Sequence, residues 1–266
     1  STFEIFLNSS ILSMLLTIPS LGNQYLWTIA FFVIGFTTVS LSNSPMACFN
    51  ANPKELLKIF KSFQENIEDE LKSNFIGYNF MIFSNCFEKD HSQLKRFVKS
   101  FRCLFDNYEK KISITLLVDP RVKDFISLLD SCKEESINFI KFHPYHQKID
   151  NSLFKNCVEI SKEAEKRGIG ICIDASYGTK NIYKYDNLLL ATLIFEVINK
   201  VPVIILHLGG LRAIEAALII QDTKNGFIET SFSPFFYKEC RTYDVLVDSL
   251  ILLKSKRILY ASDYPY

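Results

Sequence analysis

The chain has 266 residues, 48% of them hydrophobic, and a formal net charge of +1. That length suits a single α/β barrel with a large core, and the charge balance leaves neither the basic surface that nucleic acid needs nor an acidic solvated tail. The seven cysteines include no Cys-x-x-Cys pair and read as buried free thiols of a reducing compartment, so the expected location is cytoplasmic.

No charged residue lies between Glu4 and Lys54. Within this stretch, positions 24–42 (QYLWTIAFFVIGFTTVSLS) meet the roughly 20-residue length for crossing a bilayer. The start lacks the basic residues of a signal peptide, and no Lys or Arg flank marks a cytoplasmic side. Three readings stay open. The segment is a membrane anchor, or apolar helices buried against the barrel or in a homo-oligomer contact, or the disturbed end of an incomplete chain. Residues 1–53 are therefore set apart as an apolar segment, and 54–266 as the folded domain.

From Lys54 onward, helical and strand-like patterns alternate. Positions 54–73 carry apolar residues at helical spacing, and 75–83 are aromatic and β-branched as in a strand. Helix is expected at 91–105, strand at 112–118 with Pro120 behind it, helix at 122–135 and strand at 137–142. A helix at 153–168 ends on Gly168, a normal C-terminal stop. Strand 169–173, helix 187–200, strand 202–207, helix 211–225, strand 226–231, helix 240–256 and strand 257–262 complete the series. Most of these strands are continuous apolar runs, as in parallel sheets covered on both faces. Seven strands are counted. A (β/α)8 TIM barrel needs eight, which puts the missing first strand inside the uncharged N-terminal region. The helix that should follow the last strand is not evident, so the expected fold is an α/β TIM barrel that is incomplete.

Chemistry in such barrels sits at the C-terminal strand ends. There the sequence places Lys141 and His143, Asp174, His207, Glu229 and Ser231, and finally Asp263. Carboxylates and imidazoles together suit zinc or a similar divalent ion. Each residue also has a structural role open to it. Asp174 can cap its own loop, Asp263 can cap a turn before Pro265, and a lone histidine after a strand is most often a hydrogen-bonded core residue. His207 stands out because Gly209 and Gly210 follow it, leaving room for a ligand near a helix N-terminus at Leu211. His91 falls at a helix start and is given no chemistry.

Five segments occur in order on consecutive strands: INFIKFHPYHQ, GICIDASYG, VIILHLGG, FIETSFSP and ILYASDYP. With LLVDPR at 116–121, they resemble the amidohydrolase superfamily, specifically its amidohydrolase-2 group of metal-dependent hydrolases and related decarboxylases. LHLGG and ASDYP are the most specific marks, and the resemblance covers roughly residues 54–266. It implies that Asp263 binds the metal and takes a proton from the attacking water. It implies that His207 is a second ligand or polarises the substrate. Asp174 stands where the group usually has a histidine ligand. Lys141 lies in the strand-four region, where some superfamily members bridge two metals with a modified lysine. The implied metal set is Asp174, His207 and Asp263. Lys141, His143, Arg212 or Tyr177 are candidates to orient an anionic or polyhydroxy small-molecule substrate.

One departure is large. The hallmark His-x-His of strand one occurs nowhere in the chain. The implied activity is hydrolysis of a small-molecule C–O or C–N bond by metal-activated water, with zinc as the expected ion and manganese or magnesium as alternatives. Non-oxidative decarboxylation and a non-catalytic degenerate barrel stay open beside it.

Overall fold

The structure, a computed structural model, describes residues 28–34, 75–82, 91–103, 105, 111–176, 183–253, 257–259 and 261. The expected helix at 54–73 lies outside these residues. Eight strands form one sheet: β1 (Thr28–Ile34), β2 (Phe75–Ile82), β3 (Lys111–Leu117), β4 (Phe139–Phe142), β5 (Gly170–Ile173), β6 (Val203–Ile205), β7 (Gly226–Glu229) and β8 (Ile258–Leu259). They lie side by side in sequence order, and each neighbouring pair is parallel.

The seven strands expected from the sequence therefore all form. The eighth is β1, inside the 24–42 run. Its residues TIAFFVI are aromatic and β-branched, which suits a strand covered on both faces as well as it suits a bilayer. The sheet thus begins before residue 54. Among the described residues, no helix is long and apolar enough to cross a membrane. The sheet curls far enough to bring Cα atoms of β1 and β8 within 8 Å. No ladder joins those two strands among the described residues, so the fold is TIM-barrel-like and incomplete.

Helices lie between the strands: α1 (His91–Cys103), α2 (Phe125–Glu134), α3 (Asn151–Lys166), α4 (Asn187–Phe195), α5 (Ala213–Gln221) and α6 (Thr242–Leu253). Three start on an aspartate whose carboxylate accepts a backbone N–H of the first turn: Asp124 from Ser127, Asp150 from Ser152 and Asp186 from Leu189. Each cap satisfies a donor the helix cannot, worth about 1 kcal/mol. Gly168 ends α3 as expected, with φ +75° and its neighbour Ile169 N–H donating back to Ala164 O at 3.0 Å.

Two apolar layers result. One fills the space between strands and helices, with Ile114, Leu116, Ile140, Phe142, Ile171, Ile173, Val203 and Ile205 facing Leu128, Ile160, Leu190, Ile194 and Ile220. The other lines the barrel interior and contains Met81, Cys172, Ile204, Leu206, Leu259 and Ala261, with Phe139 and Phe227 against them. Phe139 pairs in register with Gly170, and a Cβ on Gly170 would overlap its ring. The glycine is what lets an aromatic ring fit inside the barrel. Strand alternation fixes the site from here. On β4, Phe139 points inward, so Lys141, two residues on, does as well.

Candidate active site

Lys141 is 2% exposed, inside a barrel of apolar side chains. An ammonium there must be paired, because an isolated buried charge costs several kcal/mol. Its Nζ lies 2.7 Å from Asp174 Oδ2. Asp174 follows β5 and is equally buried. The same Oδ2 lies 3.1 Å from His207 Nε2 and 3.5 Å from His143 Nε2. The ends of β4, β5 and β6 thus converge on one carboxylate oxygen. The other oxygen, Oδ1, accepts from the backbone N–H and the hydroxyl of Ser176. Asp174 therefore caps its loop and faces the barrel mouth at once, one oxygen for each role.

His207 is held on every polar atom. Its N–H donates to Glu229 Oε2 at 3.0 Å, its carbonyl accepts from Ser233 Oγ at 2.6 Å, and its Nδ1 lies 3.0 Å from Ser231 Oγ. These bonds fix an uncommon backbone. His207 and Leu208 have φ of 58° and 54°, a left-handed conformation that costs a side-chain-bearing residue about 1–2 kcal/mol. Gly209 and Gly210 continue the turn at φ 73° and 58°. A Cβ on Gly209 would sit 2.5 Å from Ala216 Cβ. The open side of Gly209 is thus filled by α5, and its reason is helix packing rather than ligand approach. The helix itself begins at Ala213, not Leu211.

Glu229, at the end of β7, completes the group. Its Oε2 accepts from the His207 N–H and from Ser231 Oγ at 2.9 Å, and its Oε1 from the Ser231 N–H. The result is a buried chain from Asp174 through His207 and Ser231 to Glu229. Sequence reasoning placed Glu229 and Ser231 at a strand end without giving them a role. The signal was available: a glutamate inside an apolar strand, two residues before a serine.

The charges follow from the surroundings. Burial alone pushes the Asp174 carboxyl up, but His143, Lys141 and His207 outweigh it and hold the group well below the usual carboxylate range. His143 goes the other way. Burial lowers it to about 3, against the pull of Asp174 and with a further push from Lys141 and His207. At neutral pH the His143 ring is therefore uncharged, and the direct partner of the Asp174 carboxylate among the described lysines and arginines is Lys141. Burial raises the Glu229 carboxyl, partly offset by His207 and the hydrogen bonds it accepts. An ionised Asp174 can only accept, so the His207 nitrogen facing it carries a proton.

The other expected residues fall as follows. Arg212 is ion-paired with Asp186 at 2.7 Å and Glu215 at 2.6 Å, linking the start of α4 to α5. His146 donates its N–H to His143 Nδ1 at 3.4 Å. His91 begins α1 and its Nδ1 meets Ser127 Oγ at 3.2 Å. Asp263 and Tyr177 lie outside the described residues. The LLVDPR stretch has a structural use. Asp119 accepts from the Arg121 guanidinium at 3.0 Å, and Arg121 donates to the carbonyls of Gln147 and Lys148, both at 3.0 Å. That ties the loop after β3 to the loop after β4.

The donor set can be tested against the divalent ion that the family resemblance implies. A metal needs lone pairs aimed at a common vacant point. Here Asp174 Oδ2 is taken by an ammonium, and both His207 ring nitrogens face protein partners. Among the described residues, no group of three or more His, Cys, Asp or Glu has a metal-holding arrangement. These residues do not fit a divalent ion.

No family model matches the sequence, and no curated protein matches it. Solved structures do resemble the fold. A probable 2-pyrone-4,6-dicarboxylic acid hydrolase from Acinetobacter baumannii, crystallised with citric acid bound, aligns at TM-score 0.54 and 12% identity over 90% of this chain and 84% of its own. An uncharacterised TIM-barrel protein from Bordetella bronchiseptica aligns at TM-score 0.51 and 9% identity, over 85% of this chain and 74% of its own. An archaeal Rubisco aligns at TM-score 0.50 and 11% identity, over 91% of this chain and 56% of its own. Barrels named for unrelated chemistries share the likeness, so it speaks for the TIM-barrel fold alone.

Proposed function

We propose that this protein is a hydrolase of a small molecule, cleaving a C–O or C–N bond at the mouth formed by the ends of β4 to β7. One observation carries the reading: Lys141 and His143 from the end of β4 and His207 from the end of β6 meet on one buried oxygen of Asp174, at the end of the strand between them. A barrel gains no stability from burying such a group that a well-packed apolar cluster would not give. Its place at the C-terminal ends is where barrel chemistry is done. The sequence resemblance to the amidohydrolase-2 group supports the same class.

In this reading the chain's own residues divide the work. Asp263, the residue that matches the family's proton acceptor, takes the proton from the attacking water and returns it to the leaving atom. Lys141 supplies positive charge where negative charge develops on the substrate oxygen, and the Nε2–H of His207 holds the Asp174 carboxylate beside it. Glu229 and Ser231 hold the His207 ring in place. No step is assigned to a metal, because the described donors do not fit one.

The test is turnover by the purified full chain on a panel of small lactones, esters and amides, followed by proton release at constant pH. Hydrolysis of at least one member, lost in both Asp263→Asn and His207→Asn, is the expected result. Release of carbon dioxide without net hydrolysis would move the protein to decarboxylation. One observation favours a non-catalytic barrel as the rival: every polar atom of His207 is already engaged by protein. Absence of turnover on the whole panel would decide for that rival.

A further inference from the structure

We infer that Lys141 is the resident cation of this site, its ammonium occupying the carboxylate position that a divalent metal would take, so that the mouth is built to work without metal. The inference rests on the reading of the mouth as the functional site, but its evidence and its test are independent of turnover.

Three observations carry it. First, the ammonium is placed as a metal would be. Lys141 Nζ is 2.7 Å from Asp174 Oδ2, and both side chains are 2% exposed, so neither solvent nor a surface counter-ion neutralises the carboxylate. Second, the imidazoles are arranged around that pair rather than around a vacant point. His207 Nε2 at 3.1 Å and His143 Nε2 at 3.5 Å are both directed at the same Oδ2. A divalent ion at this oxygen would lie beside an ammonium already bonded to it, and two cations competing for one buried anion repel strongly at low dielectric. Third, the sequence has no His-x-His with which to supply further nitrogen ligands, and the position expected to hold a strand-five histidine is Asp174 itself.

The anchoring is also built for a lysine. The Lys141 stem leaves β4 on the inner face, in register with Leu117 of β3 and Cys172 of β5. Its ammonium also meets Met81 Sδ at 3.7 Å.

The experiment uses the full chain without an affinity tag. Protein is dialysed against zinc, then manganese, freed of unbound ion and analysed for metal content, with the thermal midpoint read before and after a chelator. The wild type is expected to retain well under one ion per chain and to keep its midpoint in chelator. Lys141→Ala, which removes the ammonium and leaves the Asp174 carboxylate facing a gap, is expected to gain zinc and a zinc-dependent rise in midpoint. Lys141→Arg, which keeps the charge, is expected to stay metal-free. Near-stoichiometric zinc in the wild type, stripped by chelator with a fall in midpoint, would overturn the inference. So would a folded Lys141→Ala that takes up no more metal than the wild type, because the lysine would then not be what excludes it. If neither variant folds, the wild-type measurement still decides. Absence of hydrolysis would sink the proposed function and leave this result standing.

Discussion

Among the described residues, two of the buried polar groups are buried by different means. Asn79 on β2 and Thr115 on β3 are 1% and 0% exposed. The Asn79 amide and the Thr115 hydroxyl satisfy one another at 2.8 and 3.0 Å. Both are neutral, and either could be replaced together with its partner by apolar side chains at little cost. Lys141, Asp174, His207 and Glu229 are also buried, and all four are ionisable. They require Ser176, Ser231, Ser233 and two backbone turns to complete them. The neutral pair is packing that happens to be polar. The ionic group organises four strand ends and forces two residues into left-handed backbone. The difference marks which of the two exists for more than stability.

The comparison is broken most severely by removing the shared acceptor. Asp174→Ala leaves the Lys141 ammonium buried without its carboxylate, and a loss of about 3–5 kcal/mol is expected in urea unfolding. A loss under about 1 kcal/mol would place the pair in solvent-like surroundings.

Acid should act on the ionic group and spare the neutral one. His143 is lowered to about 3 in the folded state from 6.5, so below pH 6.5 the unfolded chain binds a proton that the folded chain does not. Stability should therefore fall as pH drops from about 6.5 towards 3, by on the order of 2 kcal/mol at pH 5 for this one group. Asp174, depressed in the folded state, adds a second loss as pH falls below the ordinary aspartate range. Glu229 opposes both. Its raised carboxyl favours the folded state in acid, and that contribution is lost as pH rises from the ordinary glutamate value through its raised one. His143→Asn should flatten the limb between pH 6.5 and 5 in a pH series of urea midpoints, and Thr115→Val should leave its shape unchanged.

Smaller effects sharpen the contrast. Thr115→Val strands the Asn79 amide and should cost about 1–2 kcal/mol, whereas Asn79→Leu with Thr115→Val should recover most of that. Smallest of all, Arg212→Ala breaks partly exposed pairs with Asp186 and Glu215 and should cost under about 1 kcal/mol by the same unfolding assay.

Much of this was legible in the sequence. Seven strands were visible because parallel strands covered on both faces are continuous apolar runs, and Lys141, Asp174 and His207 were marked because they interrupt such runs at their ends. β1 was harder. TIAFFVI sits in a longer uncharged run, and periodicity cannot separate a buried strand from a bilayer segment. Barrel geometry places Lys141 beside Asp174 at one mouth, but their direct ion pair could not be read, since inward direction depends on register across strands about 30 residues apart in sequence. Gly209 misled because a glycine beside a histidine suits a ligand and a close-packed helix equally. Ala216, seven residues on, is what decides between them.

The account turns on the ion pair between Lys141 and Asp174, and a double-mutant cycle measures it directly. Lys141→Met, Asp174→Leu and the double variant should be unfolded in urea at pH 7.5. Each single change is expected to destabilise the protein by several kcal/mol, and the double to cost about 2–3 kcal/mol less than their sum. Additive losses would contradict a buried pair at this mouth, and with it the site built around it.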